Sequence, residues 1–330
     1  MKALVLAVVL VVAAQHPAQA YLHFAFVGSG QTIVLKWHRM PVRWFAAERA
    51  VPGVSASDFQ SAVSRAFATW QGVSTASISA QFVGFTGSQP LDDDGISVIG
   101  FLDEGGMDRV LGATQFLIDG VTGEIVESDI FFNAGFEWST AAGGDLSRFD
   151  LESVAVHEIG HFLGLAHSAL GETEVNAIGD RRVIASAAVM FPISLGRGVT
   201  RDRELQPDDI AGISALYPAG GFREATGIAR GQVRRSGRGV LGAHVTAFNP
   251  ETGGLIAGFT VNEDGEFEIA GLSPGPHIIR VEPLDDADID SFFDARDPID
   301  IAFRVAFHDR LFVAPRGATG ERVVVDVQPK

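Results

Sequence analysis

The chain has 330 residues, a length that suits two domains better than one. Its 41 acidic and 25 basic side chains give a formal net charge of −16, which argues against nucleic acid or an anionic membrane surface as a partner, because both would repel it. The sequence contains no cysteine, so disulfides are excluded and stability must come from core burial, with bound metal ions as a second source.

Residues 1–20 have the pattern of a secretory signal peptide. Lys2 provides a short basic start, residues 3–14 are apolar, and Ala18 to Ala20 form an A-x-A end. The apolar run is too short for a comfortable membrane span, and no other run qualifies as one. We therefore expect a protein that is secreted, periplasmic or at the cell surface, with an uncleaved membrane anchor as the alternative.

The next part of the chain predicts one amphipathic helix followed by several strands. Apolar side chains recur at helical spacing between Ser57 and Gln71, and Ser57 is the predicted N-cap. Three later runs have the composition of strands: 96–101, 114–118 and 129–133.

Residues 157–167 read HEIGHFLGLAH, which is the pattern HExxHxxGxxH. His157 and His161 are four residues apart, so both project from one face of a helix and can reach the same metal ion. Gly164 lets the chain leave the helix in a conformation that is costly for other residues, and the turn brings His167 round as the third ligand. Three protein ligands leave one tetrahedral position of zinc for a water, whose pKa falls to about 7.

The helix that carries this motif has its own sequence signals. Asp150 is its predicted N-cap. Apolar residues at helical spacing follow: Leu151, Val154, Ala155, Ile159, Phe162 and Leu163. We therefore expect the ligands to lie on a rigid, half-buried helix.

Glu158 lies beside two of the predicted ligands and is the predicted catalytic base. It can take a proton from the attacking water and pass it to the leaving amine, which predicts zinc-assisted hydrolysis of internal peptide bonds. A non-catalytic zinc-binding adhesin would keep the histidines but would gain nothing from Glu158. A zinc hydrolase acting on a non-peptide amide would use the same chemistry, and a surface-binding role can belong to the second domain.

Several features beyond the motif resemble the metzincin clan and, within it, the matrixin family. Residues 188–192 read AVMFP and place Met190 in a predicted turn after the three histidines, which is typical of metzincins. Ser168 follows the third histidine as in matrixins, and the run 205–217 looks like the last helix of a matrixin catalytic domain. The order of helix, strands, zinc helix, methionine turn and helix is similar to a bacterial-style matrixin over roughly residues 40–218.

This resemblance implies a fold class, an activity and further site residues. The fold is α+β, a twisted mixed β-sheet with an active-site helix and a C-terminal helix, and the activity is that of a secreted zinc metalloendopeptidase. Met190 forms a hydrophobic base beneath the metal, and Asp208 and Asp209 anchor the methionine turn. An extended substrate pairs with an edge strand near 129–132. The residues that wall the pocket for the residue after the cleaved bond are Phe191, Pro192 and Ile193.

Two departures from the vertebrate members of that family change the expected metal content and regulation. No histidine lies between His38 and His157, so we expect one catalytic zinc and no second, structural one. Without cysteine, latency through a propeptide cysteine cannot operate. The link 169–187 is also longer than is usual before the methionine turn.

Three oxygen-rich stretches fall where matrixins bind calcium: Asp92-Asp93-Asp94-Gly95, Asp103-Glu104 and Asp119. Acidic loops are commonly just solvated, so the sequence leaves a Ca²⁺ site open and assigns no ligands to it. The expected partners are protein or peptide substrates, and the expected state is a monomer.

After 218–221 the pattern changes to short alternating strands, with Asp264-Gly265 as a hairpin turn signal. Residues 224–283 resemble the carboxypeptidase regulatory-like (transthyretin-like) module, an all-β sandwich. Its His244 and His277 lack neighbours at ligand spacing, which favours structural roles.

The predicted organisation is therefore a signal peptide (1–20), a catalytic domain (21–220), a sandwich (224–283) and a tail (284–330) that either completes the sandwich or starts another module. Because the ligands, base and methionine turn all precede Gly220, we expect cleavage of short peptides to survive truncation after that residue.

Overall fold

The computed structural model describes residues 23–28, 31–103, 107, 109–175, 181–294 and 296–330. The predicted signal peptide and Glu104 lie outside the described residues. No helix within these ranges is long and apolar enough to cross a membrane.

The N-terminal region, residues 23–218, combines three helices with a central mixed sheet. Its strands are β1 (Ala25–Gly28), β2 (Gln31–Val34), β3 (Val42–Ala47), β4 (Ala80–Thr86), β5 (Ser97–Leu102), β6 (Gly112–Ile118), β7 (Ile125–Asn133), β8 (Trp138–Ser139), β9 (Phe149–Asp150), β10 (Gly171–Val175) and β11 (Arg181–Ser186). Its helices are α1 (Ala56–Gln71), α2 (Leu151–Phe162) and α3 (Pro207–Leu216), with a 3₁₀ turn at Arg201–Arg203. The three strands predicted from the sequence are confirmed as β5, β6 and β7.

The central sheet has the strand order β4-β3-β5-β7-β6. All neighbours are parallel except β6, which runs antiparallel to β7 and forms one edge. The predicted substrate-binding edge near 129–132 is therefore wrong, because β7 is hydrogen-bonded on both sides, to β5 through Ile130 and to β6 through Asp129. The two edges of this sheet are β6, next to β7, and β4.

Helix α1 forms where the apolar periodicity predicts it, but its cap differs. Ser55 has extended backbone and its hydroxyl accepts the amide of Asp58, whereas Ser57, the predicted cap, already lies in the first helical turn. The buried face packs on α2 and the sheet, and Trp70 donates its indole N–H to the carbonyl of Val156 at 2.8 Å. Each large side chain buried here contributes about 1.5–3 kcal/mol of transfer free energy.

The C-terminal region, residues 227–330, follows a short helix, α4 (Phe222–Ala225), and consists of two sheets. Its strands are β12 (Gly227–Arg235), β13 (Arg238–Gly239), β14 (His244–Phe248), β15 (Leu255–Phe259), β16 (Glu266–Leu272), β17 (Gly275–Glu282), β18 (Ala306–Phe307), β19 (Phe312–Ala314) and β20 (Val323–Asp326). One sheet joins β12 to β13, β16 and β20, and the other joins β14, β15, β17, β18 and β19. Their facing side chains, among them Val233, Phe267, Val245 and Val281, share one core.

Three strands of the tail 284–330 are hydrogen-bonded into these sheets. β20 runs parallel to β12, while β18 and β19 both pair antiparallel with β17. The apolar side chains of Val323, Val325 and Phe312 enter the shared core.

The two regions are packed against each other through α3 and the link 169–187. Ala211 of α3 contacts the core of the C-terminal region, and the carboxylate of Asp208 accepts the amide of Ala257 in β15 at 2.8 Å. The described residues of the long link include the antiparallel pair β10 and β11, which lies beside the C-terminal region and which we call hairpin β10–β11.

Candidate metal centre

Hydrogen bonds to the side chain of Asp150 stabilise the N-terminus of helix α2. Asp150 is its N-cap, as predicted, and accepts the amide of Ser153 at 2.9 Å. The same buried carboxylate forms two hydrogen bonds with the guanidinium of Arg203, at 2.9 and 2.5 Å. No pattern in the sequence pointed to Arg203, because it lies 53 positions away from Asp150.

At the C-terminal end of α2, two side chains from distant segments donate hydrogen bonds to backbone carbonyl groups that have no partner within the helix. Trp37 donates its indole N–H to the carbonyl of Phe162 at 2.8 Å, and Tyr217 donates its hydroxyl to the carbonyl of Leu163 at 2.7 Å. Gly164 then has a φ of +102°, and a Cβ there would lie 2.5 Å from the carbonyl oxygen of Leu35. This turn directs the chain toward His167.

The side chains of His157, His161 and His167 converge, with their ligating atoms all within 4.8 Å of one another. The Nε2 atoms of His161 and His167 are 3.2 Å apart. Two nitrogens bound at 2.0–2.1 Å to a tetrahedral zinc lie about 3.3 Å apart, so the spacing of this pair fits that metal. Within the described ranges, no other group of three histidine or acidic side chains is close enough to hold a metal ion.

Each of the three imidazoles also donates its Nδ1–H to a backbone carbonyl. The acceptors are Val189 for His157 at 2.7 Å, Leu165 for His161 at 2.8 Å, and Ser291 for His167 at 2.9 Å. These bonds fix the tautomer, leaving every Nε2 with a free lone pair toward the common centre.

The electrostatic environment keeps these histidines neutral. Burial, followed by the neighbouring His167, lowers the pKa of His157 to about 4. Burial also lowers the pKa of His161 well below its usual value and lowers that of His167. Neutral imidazole is the form that binds a metal ion, so at pH 7 no proton has to be displaced.

Glu158 directly follows His157 on α2 and is buried, and its carboxylate accepts a hydrogen bond from a side chain of β6. The hydroxyl of Thr114 on β6 donates to its Oε2 at 2.8 Å, while its Oε1 lies 3.3 Å from the position that a Cβ would take on Gly112. Burial, partly opposed by the Thr114 hydrogen bond, raises the pKa of Glu158 to about 7. The sequence predicted a strand at Thr114 but did not indicate this contact.

Met190 lies in a turn that one of the two predicted acids ties to α3, and its sulfur lies against Gly160 of α2. Its role as a hydrophobic base beneath the metal stays a prediction. Asp209 accepts the amide of Val189 at 2.9 Å and that of Met190 at 3.1 Å. Asp208, the other, does not reach the turn: its carboxylate accepts the hydroxyl of Ser168 at 2.7 Å and the amide of Ala257. Adjacent helical residues point in different directions, so only one of the pair can face the turn.

The three residues of the predicted pocket wall, Phe191 to Ile193, differ in burial, and their role in a substrate pocket stays a prediction. Phe191 is buried, and its ring packs against Gly171 and within an apolar cluster that includes Phe259 and Phe292 of the C-terminal region. Pro192 and Ile193 are half-buried. The sequence of the first domain alone does not show that a second region covers Phe191.

The acidic loops considered for calcium mostly cap backbone turns. Asp119 accepts the amides of Val121 and Thr122, and Asp94 accepts that of Ile96. Asp129 accepts the amides of Leu91 and Val98. A calcium site stays a prediction.

Comparison with known proteins gives consistent similarities over the N-terminal region. A family model described as Matrixin matches residues 36–218, slightly more than half of the chain. Metalloendoproteinase 1 of Glycine max is 35% identical over 176 residues, covering 48% of this chain and 45% of that protein. Metalloendoproteinase 2-MMP of Arabidopsis thaliana is 30% identical over 174 residues, covering 49% and 38%.

Interstitial collagenase of Oryctolagus cuniculus is 27% identical over 175 residues, covering 52% of this chain and 31% of that protein. The chain spans less than half the length of these curated relatives.

Proposed function

The chain belongs to the matrixin family, and we propose that it is a secreted zinc metalloendopeptidase that hydrolyses internal peptide bonds of extended protein substrates. The observation that carries this proposal is the joint placement of three oriented imidazoles and one buried carboxylate. An adhesin that only binds zinc would have no use for Glu158 in that position.

His157, His161 and His167 would hold the metal, and their Nδ1 hydrogen bonds keep the rings in place. When bound, zinc polarises the scissile carbonyl and lowers the pKa of a water from about 15.7 to about 7. Glu158 accepts a proton from the attacking water and delivers it to the nitrogen of the leaving amine. Thr114 holds Oε2, which leaves Oε1 to carry that proton.

The edge strand β6 is the surface to which an extended substrate would add a strand. β6 pairs with β7 on one side and carries Thr114 beside Glu158, so a peptide along its free side would pass the metal centre. Main-chain hydrogen bonds would then set the register, which suits cleavage within a chain.

We also propose that the C-terminal region is an accessory sandwich of the carboxypeptidase regulatory-like type. Its two sheets share one core, and the strands of 284–330 pair with strands of 227–283. Export is supported by the signal-peptide pattern of residues 1–20.

The direct test is hydrolysis of casein and of an internally quenched peptide by the purified protein. We expect activity that a zinc chelator abolishes and that added zinc restores. Sequencing of the products distinguishes cleavage of internal bonds from trimming at the ends. Full activity after complete zinc removal, or no cleavage by zinc-loaded protein, would overturn the proposal.

A further inference from the structure

A segment of the C-terminal region, Leu284 to Asp294, leaves the end of β17 and lies against the metal centre. We call it the strap. It contains the 3₁₀ turn Ile289–Ser291, and the amides of Phe292 and Phe293 both bond to the carbonyl of Ile289 at 3.0 Å. This turn leaves the carbonyl of Ser291 free to accept a hydrogen bond from outside the strap.

That carbonyl accepts the Nδ1–H of His167 at 2.9 Å. The corresponding acceptors of His157 and His161 come from Val189 and Leu165, both within the N-terminal region. His167 therefore differs from the other two: its orientation depends on a residue 124 positions away in the second half of the chain.

The strap is anchored next to His167 by two buried phenylalanines. The ring centroids of Phe292 and Phe293 lie 5.7 and 5.5 Å from that of Phe259 in β15, and Phe292 is 6.4 Å from His167. These rings form one apolar cluster with Phe191, which directly follows the methionine of the Met190 turn. The cluster thus packs the strap against the residue that follows Met190.

Hairpin β10–β11, which precedes the Met190 turn, forms hydrogen bonds and an ion pair with the strap. Thr173 donates its amide to the carboxylate of Asp286 at 2.9 Å and its hydroxyl to the carbonyl of the same residue at 2.6 Å. Arg181 donates to the carbonyl of Asp285 at 3.0 Å and lies 3.8 Å from the carboxylate of Asp288. The cationic hairpin side chain therefore faces the acidic part of the strap.

We propose that the strap is a positioning element of the metal centre: the Ser291 carbonyl orients His167, and hairpin β10–β11 holds the strap in place. The catalytic centre is then built from both regions of the chain, contrary to the expectation that residues up to Gly220 suffice. This inference rests on the proposed function only in taking the three histidines as zinc ligands.

The test measures zinc affinity of the full chain by competition with a chromophoric chelator. Two variants of hairpin β10–β11 distinguish the loss of contacts with the strap from the general effect of removing an arginine from the hairpin. Arg181→Ala removes the contacts of this arginine with Asp285 and Asp288 of the strap and its hydrogen bond to Thr173. Arg182→Ala removes only a pair with Glu174 on the same hairpin. Phe292→Ala releases the strap from its apolar anchor. Cobalt substitution of each variant reports the ligand geometry through its visible spectrum.

We expect Phe292→Ala to weaken zinc binding by about 10- to 100-fold, the range typical for loss of a partner that orients a metal ligand. Arg181→Ala should weaken it less but in the same direction, with an altered cobalt spectrum, and Arg182→Ala should match the native protein. Circular dichroism of the metal-free proteins checks folding, and the surface variant Arg181→Ala keeps the test valid if Phe292→Ala unfolds.

Native zinc affinity and an unchanged cobalt spectrum in folded Arg181→Ala and Phe292→Ala would overturn the inference. Equal weakening by Arg181→Ala and Arg182→Ala would overturn it as well, because the strap contacts would then not be the cause. Failure of the proposed function gives a different result: native protein that binds zinc tightly but cleaves no peptide.

Discussion

The sulfur of Met190 lies 2.3 Å from the position that a Cβ would occupy on Gly160. The turn that contains Met190 therefore packs directly against α2 at Gly160, which lies between His157 and His161. A side chain larger than that of glycine would not fit there. The carbonyl of Val189, which precedes Met190 in the same turn, accepts the Nδ1–H of His157, so the turn also orients one of the three histidines.

Gly160→Ala should destabilise the protein and weaken zinc binding. The added methyl group would collide with Met190 and with the ring of Trp70, and overpacking of this kind typically costs about 1–3 kcal/mol. Urea unfolding gives the free energy, and chelator competition gives the zinc affinity. Gly87→Ala is the matched control, because no atom lies within 4 Å of a Cβ at Gly87. Equal stability of the two variants would contradict the prediction.

Glu158→Gln should keep zinc and fold but lose hydrolysis by about a thousandfold or more. The amide has nearly the same shape as the carboxylate and can still accept from Thr114, but it cannot take a proton from water. Metal analysis and peptide hydrolysis of the same preparation measure both properties. Loss of zinc from the variant would instead assign Glu158 to the ligand set.

The purified protein should contain close to one zinc per chain. The three-histidine group is the one cluster of its kind among the described residues, and the sequence has no histidine between His38 and His157. Elemental analysis after extensive dialysis measures the content. Two tightly held zinc ions per chain would show that a further site exists.

The local part of the metal centre was predictable because its spacing is fixed by one helix and one turn. His157, His161 and Gly164 lie within a single stretch whose geometry follows from helical periodicity. The N-cap at Asp150 was predictable for the same reason. The N-cap of α1 was harder to predict, because Ser55 and Ser57 are both suitable caps and the sequence does not rank them. The structure shows that Ser55 is the cap.

The contacts that depend on tertiary pairing were not predictable. β7 lies between β5 and β6 although it follows both in the chain, and this insertion makes β6 an edge and brings Thr114 to Glu158. The carbonyl of Ser291 carries no side-chain signature, so no pattern in the sequence could have linked it to His167. The burial of Phe191 follows from the same packing of the two regions.

Asp208→Asn should make the protein more stable near pH 8 while changing little near pH 4. Burial, followed by the charge of Asp209, raises the pKa of Asp208 from 3.8 to about 7. Between these two pH values the carboxyl group is protonated in the folded state and ionised in the unfolded state. The native protein thus loses stability between about pH 4 and pH 7, at up to about 1.4 kcal/mol per pH unit from this group.

The asparagine removes that penalty and can keep both contacts, accepting from Ala257 and donating to the hydroxyl of Ser168. Urea unfolding of both proteins at pH 4 and pH 8 measures the difference. A variant that is less stable than the native protein at pH 8 would show that the Asp208 charge is stabilising.

Thr114→Val should lower kcat/KM by roughly tenfold to a hundredfold while zinc affinity stays unchanged, because a hydrogen bond to a charged group contributes about 1.5–3 kcal/mol. Valine has nearly the same shape as threonine, so β6 and its pairing with β7 remain, and only the donor to Oε2 of Glu158 is lost. Thr114→Ser keeps a hydroxyl at this position and should restore most of the activity. Steady-state hydrolysis of a quenched peptide by the three proteins compares them. If Thr114→Ser is as impaired as Thr114→Val, the methyl group and not the hydroxyl supports Glu158, and the role of Thr114 is packing.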